Sequence, residues 1–586
     1  MRPKWGTLMK HTTMGRRHIL RSVAASVALS LAVSAVAATG TSAATRPSAV
    51  NAKTGGEATV AINETFAGFC YSALVAGTAL NGMSTIFESL FLKAKNGDPI
   101  GLLASGATSS SDFKTWTITL RPGISYTNGQ AFNADSAMEN LNYIRGAKYV
   151  PPATNLWTLG VGVAGFANIT SLTKIDDLSF TVSLFKSQND FPISLAGIGM
   201  RATAQLATGV TCSSTPIGTG PFTMSSWSAT ELVVVKNPNY WRKDPARPTV
   251  KLPLLDKISF IVVPESSQRA AAVRKKSVDM AFFTGRTDNT YIADLQQRKS
   301  VVTVYSSPSL FYPSLYLNQS NGGPFSDVNA RLAVVNCIDR ANFNKVRLKG
   351  RGETPTSVLG SLNIGYSKKG FTPFNPTKSK QYVASYLAAN PGKTSLTFTV
   401  PFESATQVQN NAKFLQETFV KCGITMNILT EEQAVWAGKA YNVVTGKQPY
   451  DALYTAGLTD VVAVGNFAVF ATNQFPADSP NPLKGFFRNT LGPLYNLTRH
   501  TDTTIDDLLW QGRAASTKAS SKAAYQAATQ KIQELGIMTS IANFGWSLVS
   551  NKKSKLSAPG SIAIVKGQAT QAVNPSWTDW AGISKG

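Results

Sequence analysis

Hydrophobic and polar residues alternate without interruption between Thr115 and Leu120. Trp116, Ile118 and Leu120 are separated by threonines. This period of two predicts a strand with one buried face. The next segment contains Asn128-Gly129, the dipeptide that most easily takes the two positive φ angles of a tight hairpin. Asn133 then stands where it can cap a helix. The inner face of that helix is predicted to be Ala137, Met138, Leu141 and Ile144.

Two further segments alternate strand, helix and strand. The first runs from an apolar strand at 255–264 through a helix at 269–275 into a strand at 278–281. The second has a strand with Leu396, a helix at about 407–421 and a strand with Ile424. Strands separated by one helix pair in parallel, so the pattern predicts an α/β fold. At 586 residues the chain exceeds a single hydrophobic core, and two or more domains are expected.

Composition indicates a globular protein with a large basic surplus. Hydrophobic residues make up 43%, aromatic residues 10% and charged residues 15% of the chain, and the net charge is +25. Seven basic residues and no acidic residue lie in the first 46 positions, so the remainder keeps 50 basic against 32 acidic residues, a surplus of 18. Such a surplus favours contact with acidic surfaces or ligands. The basic residues are scattered and form no recognised nucleic-acid module, so nucleic acid is not expected as a partner.

The first 46 residues have the composition of an export signal. A basic stretch ends at Arg21, an apolar run covers 23–38, and small residues follow up to Ala44. We therefore expect an exported protein, cleaved near residue 44, with a linker at 47–56. The Arg16-Arg17 region resembles a twin-arginine signal, but paired arginines also occur in ordinary signals, and both routes stay open.

The residues needed for catalysis or metal binding are scarce. His500 is the one histidine after the signal, so neither a histidine-based triad nor a multi-histidine metal site is expected. His500 is expected near the surface or behind a site. The adjacent acidic pairs at 431–432 and 506–507 point apart and are expected in solvent. No catalytic residue, metal or cofactor is predicted.

Four cysteines occur in this exported chain: Cys70, Cys212, Cys337 and Cys422. Their even number favours two disulfides, and the residues alone leave three pairings open.

The sequences of several segments resemble those of the extracellular solute-binding proteins of family 5, the peptide-binding receptors of ABC importers. The segment from Asp112 to Asp135 carries the resemblance most clearly. It continues at 216–222 (Pro-Ile-Gly-Thr-Gly-Pro-Phe), at Asn237-Pro238 followed by Tyr240-Trp241, at 255–281 and at 324–340. One departure is visible, since Lys276-Ser277 replaces the glycine that usually follows the helix at 269–275.

The resemblance implies a two-lobed, periplasmic-binding-protein-like fold with two hinge crossovers and a ligand cleft between the lobes. The large lobe would use residues 57–305 and 506–586, and the second lobe residues 306–505. Lobe membership would then pair Cys70 with Cys212 and Cys337 with Cys422. Many relatives carry a lipid-anchor cysteine after the apolar run. Here the first cysteine is Cys70, so no lipid anchor is expected.

The resemblance also names candidate ligand contacts. In peptide-binding members a Gly-Trp and a following Asp line the cleft, and the Asp binds the α-ammonium of the peptide. The matching residues here are Gly457-Leu458 and Asp460, so the Asp is kept and the Trp is replaced. The other candidates are Phe87, Glu88, Phe311, Tyr312 and Trp436.

The leading hypothesis is an exported receptor without catalytic activity that delivers a small peptide to the permease subunits of an ABC importer. A receptor for a metal chelate, a sugar or another solute is the first alternative. A secreted hydrolase and a cell-surface structural or chaperone-like protein are the others. Saturable binding without turnover distinguishes a receptor from the last two.

Overall fold

The structure is a computed structural model of the chain. It describes residues 53–66, 68–69, 78–94, 96–145, 166, 168–206, 215–284, 288–306, 313–320, 322–350, 352–432, 435, 450–456, 496–543, 545–560, 562–564, 570, 573 and 577–586. Cys70 and Cys212 lie outside these residues, as do four candidate contacts, Phe311, Tyr312, Trp436 and Asp460.

The described strands are β1 (Glu57–Ile62), β2 (Phe91–Lys93), β3 (Pro99–Gly101), β4 (Ala104–Ser109), β5 (Thr115–Leu120), β6 (Ile169–Asp176), β7 (Ser179–Leu184), β8 (Phe222–Trp227), β9 (Glu231–Lys236), β10 (Lys243–Asp244), β11 (Arg247–Lys251), β12 (Lys257–Val262), β13 (Met280–Phe283), β14 (Val302–Ser306), β15 (Pro313–Leu317), β16 (Leu396–Glu403), β17 (Ile424–Glu431), β18 (Ala452–Ala456), β19 (Met538–Ser540) and β20 (Ser547–Asn551). The described helices are α1 (Ala79–Met83), α2 (Ala134–Ile144), α3 (Phe191–Ser194), α4 (Ser266–Lys275), α5 (Asn289–Gln297), α6 (Val328–Asn336), α7 (Arg340–Arg347), α8 (Pro376–Ala389), α9 (Thr406–Val420), α10 (Thr503–Ala514) and α11 (Lys518–Glu534). Among the described residues, no helix has the length and apolar character needed to cross a membrane.

A seven-stranded sheet organises the first part of the chain. Its order is β14-β20-β13-β1-β12-β9-β8, and β1 pairs in parallel with both β12 and β13. Helix α4 connects β12 to β13, which confirms the predicted strand, helix and strand at 255–281. Alternate residues of β1 enter different cores, with Val60 on one face and Ala61 on the other. Because both faces of the sheet are covered, the central strand β13 (Met-Ala-Phe-Phe) is apolar and buried throughout.

A four-stranded antiparallel sheet, β4-β5-β7-β6, packs against α2. Strand β5 and helix α2 have the predicted positions, and Asn133 caps α2 by accepting a hydrogen bond from the Ser136 N–H at 3.0 Å. The predicted turn at Asn128-Gly129 differs in one respect. Gly129 has a positive φ of 87°, but Asn128 does not. The Asn128 side chain accepts from the Gln130 N–H at 3.1 Å, and this local bond suits a turn with a single left-handed residue.

A second core surrounds two neighbouring groups of strands. Strands β16 and β17 pair in parallel, as predicted, and α9 connects them. Strand β15 lies between β18 and β19 and is antiparallel to both. Cys337 follows α6, Cys422 follows α9, and the two form a disulfide with their Cα atoms 6.2 Å apart, the pairing that the resemblance implied.

Two crossovers connect the seven-stranded sheet to the second core, and the strands that flank them are paired at both ends. On the sheet, the last residue of β14 pairs with the first residue of β20, and the hydroxyls of Ser306 and Ser547 lie 3.0 Å apart. On the second core, Ser314 of β15 pairs with Ser540 of β19. The connecting segments are therefore 307–312 and 541–546. Both cores belong to one compact unit covering residues 52–586.

The expected boundary near residue 505 differs from the structure. Helices α10 and α11 and strand β19 pack with the second core, where Ile505, Tyr525 and Met538 share a cluster with Tyr316 of β15. The chain returns to the first sheet only at β20. The core on which α10 and α11 pack was not predictable from the sequence, because amphipathic helices at 503–534 suit either core equally well.

Candidate ligand-binding site

Glu88 lies in a buried cluster built from three of the segments that carry the family resemblance. Its side chain is 2% exposed. The carboxylate accepts hydrogen bonds from the Tyr240 hydroxyl at 2.6 Å, the Trp241 indole N–H at 2.8 Å and the Thr219 hydroxyl at 3.2 Å. Burial raises the pKa of Glu88 to about 7, although the hydrogen bonds from Trp241 and Tyr240 oppose the rise. Residues 131 to 153 positions away in the sequence thus meet at the carboxylate of Glu88.

Two glycines allow these segments to approach so closely. A Cβ atom on Gly218 would lie 2.0 Å from the carbonyl oxygen of Ile86, and one on Gly220 would lie 2.5 Å from it. The Gly220 N–H donates to the same oxygen at 2.9 Å. Asn237 then donates to the Gly220 carbonyl, also at 2.9 Å. The two glycines of the Gly-Thr-Gly motif are therefore required by the close packing of the backbone here.

A buried ion pair holds the C-terminal residues in place beside this cluster. Arg242 donates through both terminal nitrogens to the Asp579 carboxylate, each at 3.1 Å, and both side chains are almost fully buried. The neighbouring Trp580 packs edge-on against Phe260 of β12. This pair was not predictable from the sequence, because its members are 337 residues apart.

Phe87, the other described candidate, is also part of the core. It is 5% exposed, and the Arg201 guanidinium lies over its ring at 4.3 Å. Phe87 and Glu88 are thus both buried, and their role as ligand contacts stays a prediction.

The end of strand β18 lies at the junction between the two cores. Ala456, the last residue of β18, pairs with Pro313 at the start of β15, and the Ile541 N–H after β19 donates to Pro313 at 2.8 Å. The end of β18 therefore lies beside both crossovers. α/β proteins place ligand contacts at the carboxyl ends of strands. Asp460 follows β18 by four residues but lies outside the described residues.

A loop of the second core holds a basic residue that the sequence analysis missed. Arg499 has a left-handed φ of 52°, fixed in part by its N–H bond to the Asn496 carbonyl at 2.9 Å. Its three guanidinium nitrogens are buried and have no hydrogen-bond partner among the described residues. Burial lowers the pKa of Arg499 to about 10. Non-glycine residues with positive φ concentrate at functional sites, which was not visible from the sequence.

His500 is buried, with 2% exposure. The expectation that it lies near the surface was therefore wrong, and the alternative, a place behind a site, stays a prediction. Within the described ranges, no group of three or more His, Cys, Asp or Glu side chains could hold a metal ion.

The chain matches the family described as bacterial extracellular solute-binding proteins, family 5, over residues 98–487. Among curated relatives, it is 24% identical over 455 residues to the glutathione-binding protein GsiB of Escherichia coli K12, covering 76% of this chain and 80% of that protein. Two solved structures have the same fold. The oligopeptide-binding protein AppA of Bacillus subtilis, in complex with a nonapeptide, has a TM-score of 0.68 and 16% identity and covers 86% of this chain and 96% of its own. NikZ of Campylobacter jejuni, in complex with Ni(L-His), has a TM-score of 0.70 and 18% identity and covers 90% and 99%.

Proposed function

Because this chain belongs to the family 5 extracellular solute-binding proteins, a family of receptors rather than enzymes, we propose that the solute it delivers to its ABC importer is a small peptide. The observation that carries the proposal is the place of Asp460 in the sequence. It follows β18 by four residues, and the end of β18 lies where both crossovers leave the second core. A carboxylate there can accept charge-assisted hydrogen bonds from a peptide α-ammonium.

The similar proteins support a peptide as the ligand, but their own ligands are not all peptides. A curated relative is named for glutathione binding, and AppA holds a nonapeptide. NikZ, with the same fold, holds Ni(L-His). The ligand class therefore depends on this chain's own side chains.

A binding experiment with two kinds of change tests the α-ammonium contact. Titration calorimetry would compare free peptides with the same peptides acetylated at the amino terminus, on the parent and on Asp460→Asn. We expect acetylation and Asp460→Asn each to weaken binding by about 2 to 5 kcal/mol, since either change leaves a buried charge without its partner. Their effects should not add, because both remove one interaction.

Asp478→Asn is the matched control, since Asp460 and Asp478 are the two acidic residues between 457 and 495. It should bind free peptides as tightly as the parent. Equal binding of free and acetylated peptides by the parent would contradict the role of Asp460. Binding of a nickel chelate or sugar without any peptide binding would contradict the peptide proposal itself.

A further inference from the structure

Exposed lysine side chains cluster along one edge of the seven-stranded sheet, the edge formed by the ends of its strands. Strands β1, β12, β13 and β14 begin at this edge, and β20 ends there. We call it the basic edge and define it by seven exposed lysines: Lys53, Lys275, Lys276, Lys299, Lys552, Lys553 and Lys555. The crossovers leave from the opposite ends of β14 and β20. Five strand residues separate the two edges, about 15 Å.

Backbone hydrogen bonds hold the lysine-bearing loops together. The Lys552 N–H donates to the Val301 carbonyl at 2.9 Å, which joins the loop at Lys552 to the loop containing Lys299. The Asn551 N–H donates to the Asp279 carbonyl at 3.0 Å, next to the end of α4. The lysines therefore project from one fixed surface rather than from independent segments.

Three acidic side chains of this edge have basic partners of their own, and a fourth, Asp256, accepts a hydrogen bond from the Gly56 N–H at 3.0 Å. Glu57 pairs with Lys257 at 3.0 Å, and Asp279 lies 3.8 Å from Lys585. Asp294 lies between Arg274 at 3.1 Å and Arg298 at 3.0 Å. None of the seven lysines forms an ion pair with an acidic side chain in the described part of the chain. Outside that part the sequence contains two acidic residues, Asp460 and Asp478, both distant in sequence from this sheet.

We propose that the basic edge binds the surface of a membrane that contains anionic phospholipids. Each lysine close to such a surface contributes favourably, and several on one rigid face act together. Binding there leaves the crossovers, at the other edge, unobstructed.

Vesicle sedimentation of the purified exported protein tests the proposal. Vesicles of phosphatidylcholine alone would be compared with vesicles that also contain phosphatidylglycerol, at low and at physiological salt. The test variant carries Lys275→Gln, Lys299→Gln, Lys552→Gln and Lys553→Gln. The matched control carries the same number of substitutions at exposed lysines of the second core: Lys345→Gln, Lys380→Gln, Lys393→Gln and Lys413→Gln. Both variants have the same net charge, and unchanged melting temperatures would show that they are folded.

We expect the parent to bind only vesicles that contain phosphatidylglycerol, and to bind them less at higher salt. The basic-edge variant should lose at least about tenfold in its partition coefficient, and the control less than about threefold. Equal losses in both variants would overturn the proposal, since binding would then follow net charge alone. Binding to soluble polyphosphate without binding to vesicles would also overturn it, in favour of an anionic polymer.

Discussion

Single residues of this protein show how burial controls charge. Glu88 is fully enclosed, yet its carboxylate has three side-chain donors and the nearby Arg242 guanidinium. Burial dominates and favours the protonated acid. Arg242 keeps its charge because Asp579 pairs with it through two hydrogen bonds. A buried side chain keeps its charge where an oppositely charged partner is present, and burial disfavours its charged form where none is.

Glu88 predicts a pH dependence of stability. Its pKa is about 7 in the folded protein and 4.5 in the unfolded chain. The folded state therefore holds the proton more tightly, and this stabilisation is complete below pH 4.5 and is lost as the pH rises through 7. The loss is on the order of 3 kcal/mol. Melting temperatures of the parent should fall across this range, and those of Glu88→Gln, which cannot titrate, should fall less. The exposed Glu231→Gln should behave like the parent, and an identical slope in all three proteins would contradict the assignment.

Arg499 gives the second prediction at this scale. A buried guanidinium without a partner destabilises the ligand-free protein, so Arg499→Met should raise its stability by about 1 to 3 kcal/mol. If an anionic group of the solute pairs with Arg499, the same change should weaken solute binding. Denaturant unfolding with and without ligand measures both effects. Arg331→Met is the control, because the Arg331 guanidinium donates to the carbonyls of Leu535 and Phe325 and its loss should destabilise. Destabilisation by Arg499→Met would instead indicate a protein partner, such as Asp460 or Asp478.

At the scale of elements, the sequence predicted what depends on local pattern. The strand at 115–120, the helix capped by Asn133 and the parallel pair β16 and β17 all lie where periodicity placed them. Features decided by distant contacts were not predictable. The packing of α10 and α11 on the second core depends on the pairing of β19 with β15, more than 200 residues earlier. Likewise, Phe87 and Glu88 match the family's sequence motif and are buried. A sequence motif alone does not reveal burial.

The end of α4 shows how the chain replaces a missing glycine. Lys276 takes the left-handed position with a φ of 65°, and its N–H donates to the Ala272 carbonyl. A lysine in this conformation is strained where glycine is not, so Lys276→Gly should stabilise the protein by about 0.5 to 1 kcal/mol. Lys275→Gly, one residue earlier and inside the helix, should destabilise it by a similar amount. Thermal unfolding of both variants tests the sign, and destabilisation by Lys276→Gly would show that the lysine side chain contributes more than its backbone costs.

At the scale of the whole molecule, the first part of the chain contacts the second core through a residue that belongs to neither crossover. Asn189, which follows β7, reaches the end of α10 on the second core. Its side chain donates to the carbonyls of Gly512 at 3.2 Å and Ala515 at 2.7 Å, and its N–H donates to the Arg513 carbonyl at 2.9 Å. These three bonds supply partners for carbonyls that a helix end leaves unsatisfied. They therefore link the first part of the chain to the second core by a contact that a relative movement of the cores would break.

If the cores separate when the solute is absent, Asn189 should shift the balance between the open and closed arrangements. Asn189→Ala removes two hydrogen bonds present only in the closed arrangement, worth about 1 kcal/mol each. We expect the radius of gyration of the ligand-free variant, measured by small-angle scattering, to exceed that of the parent. Solute affinity should fall by up to about thirtyfold, because the solute must then supply the lost closing energy. Asn375→Ala is the matched control: Asn375 caps α8 within the second core, accepting from the Lys378 N–H at 2.9 Å, so its loss should lower stability without changing the radius. An unchanged radius and affinity in Asn189→Ala would show that this contact is too weak to control closure, and that the crossovers and the solute determine it alone.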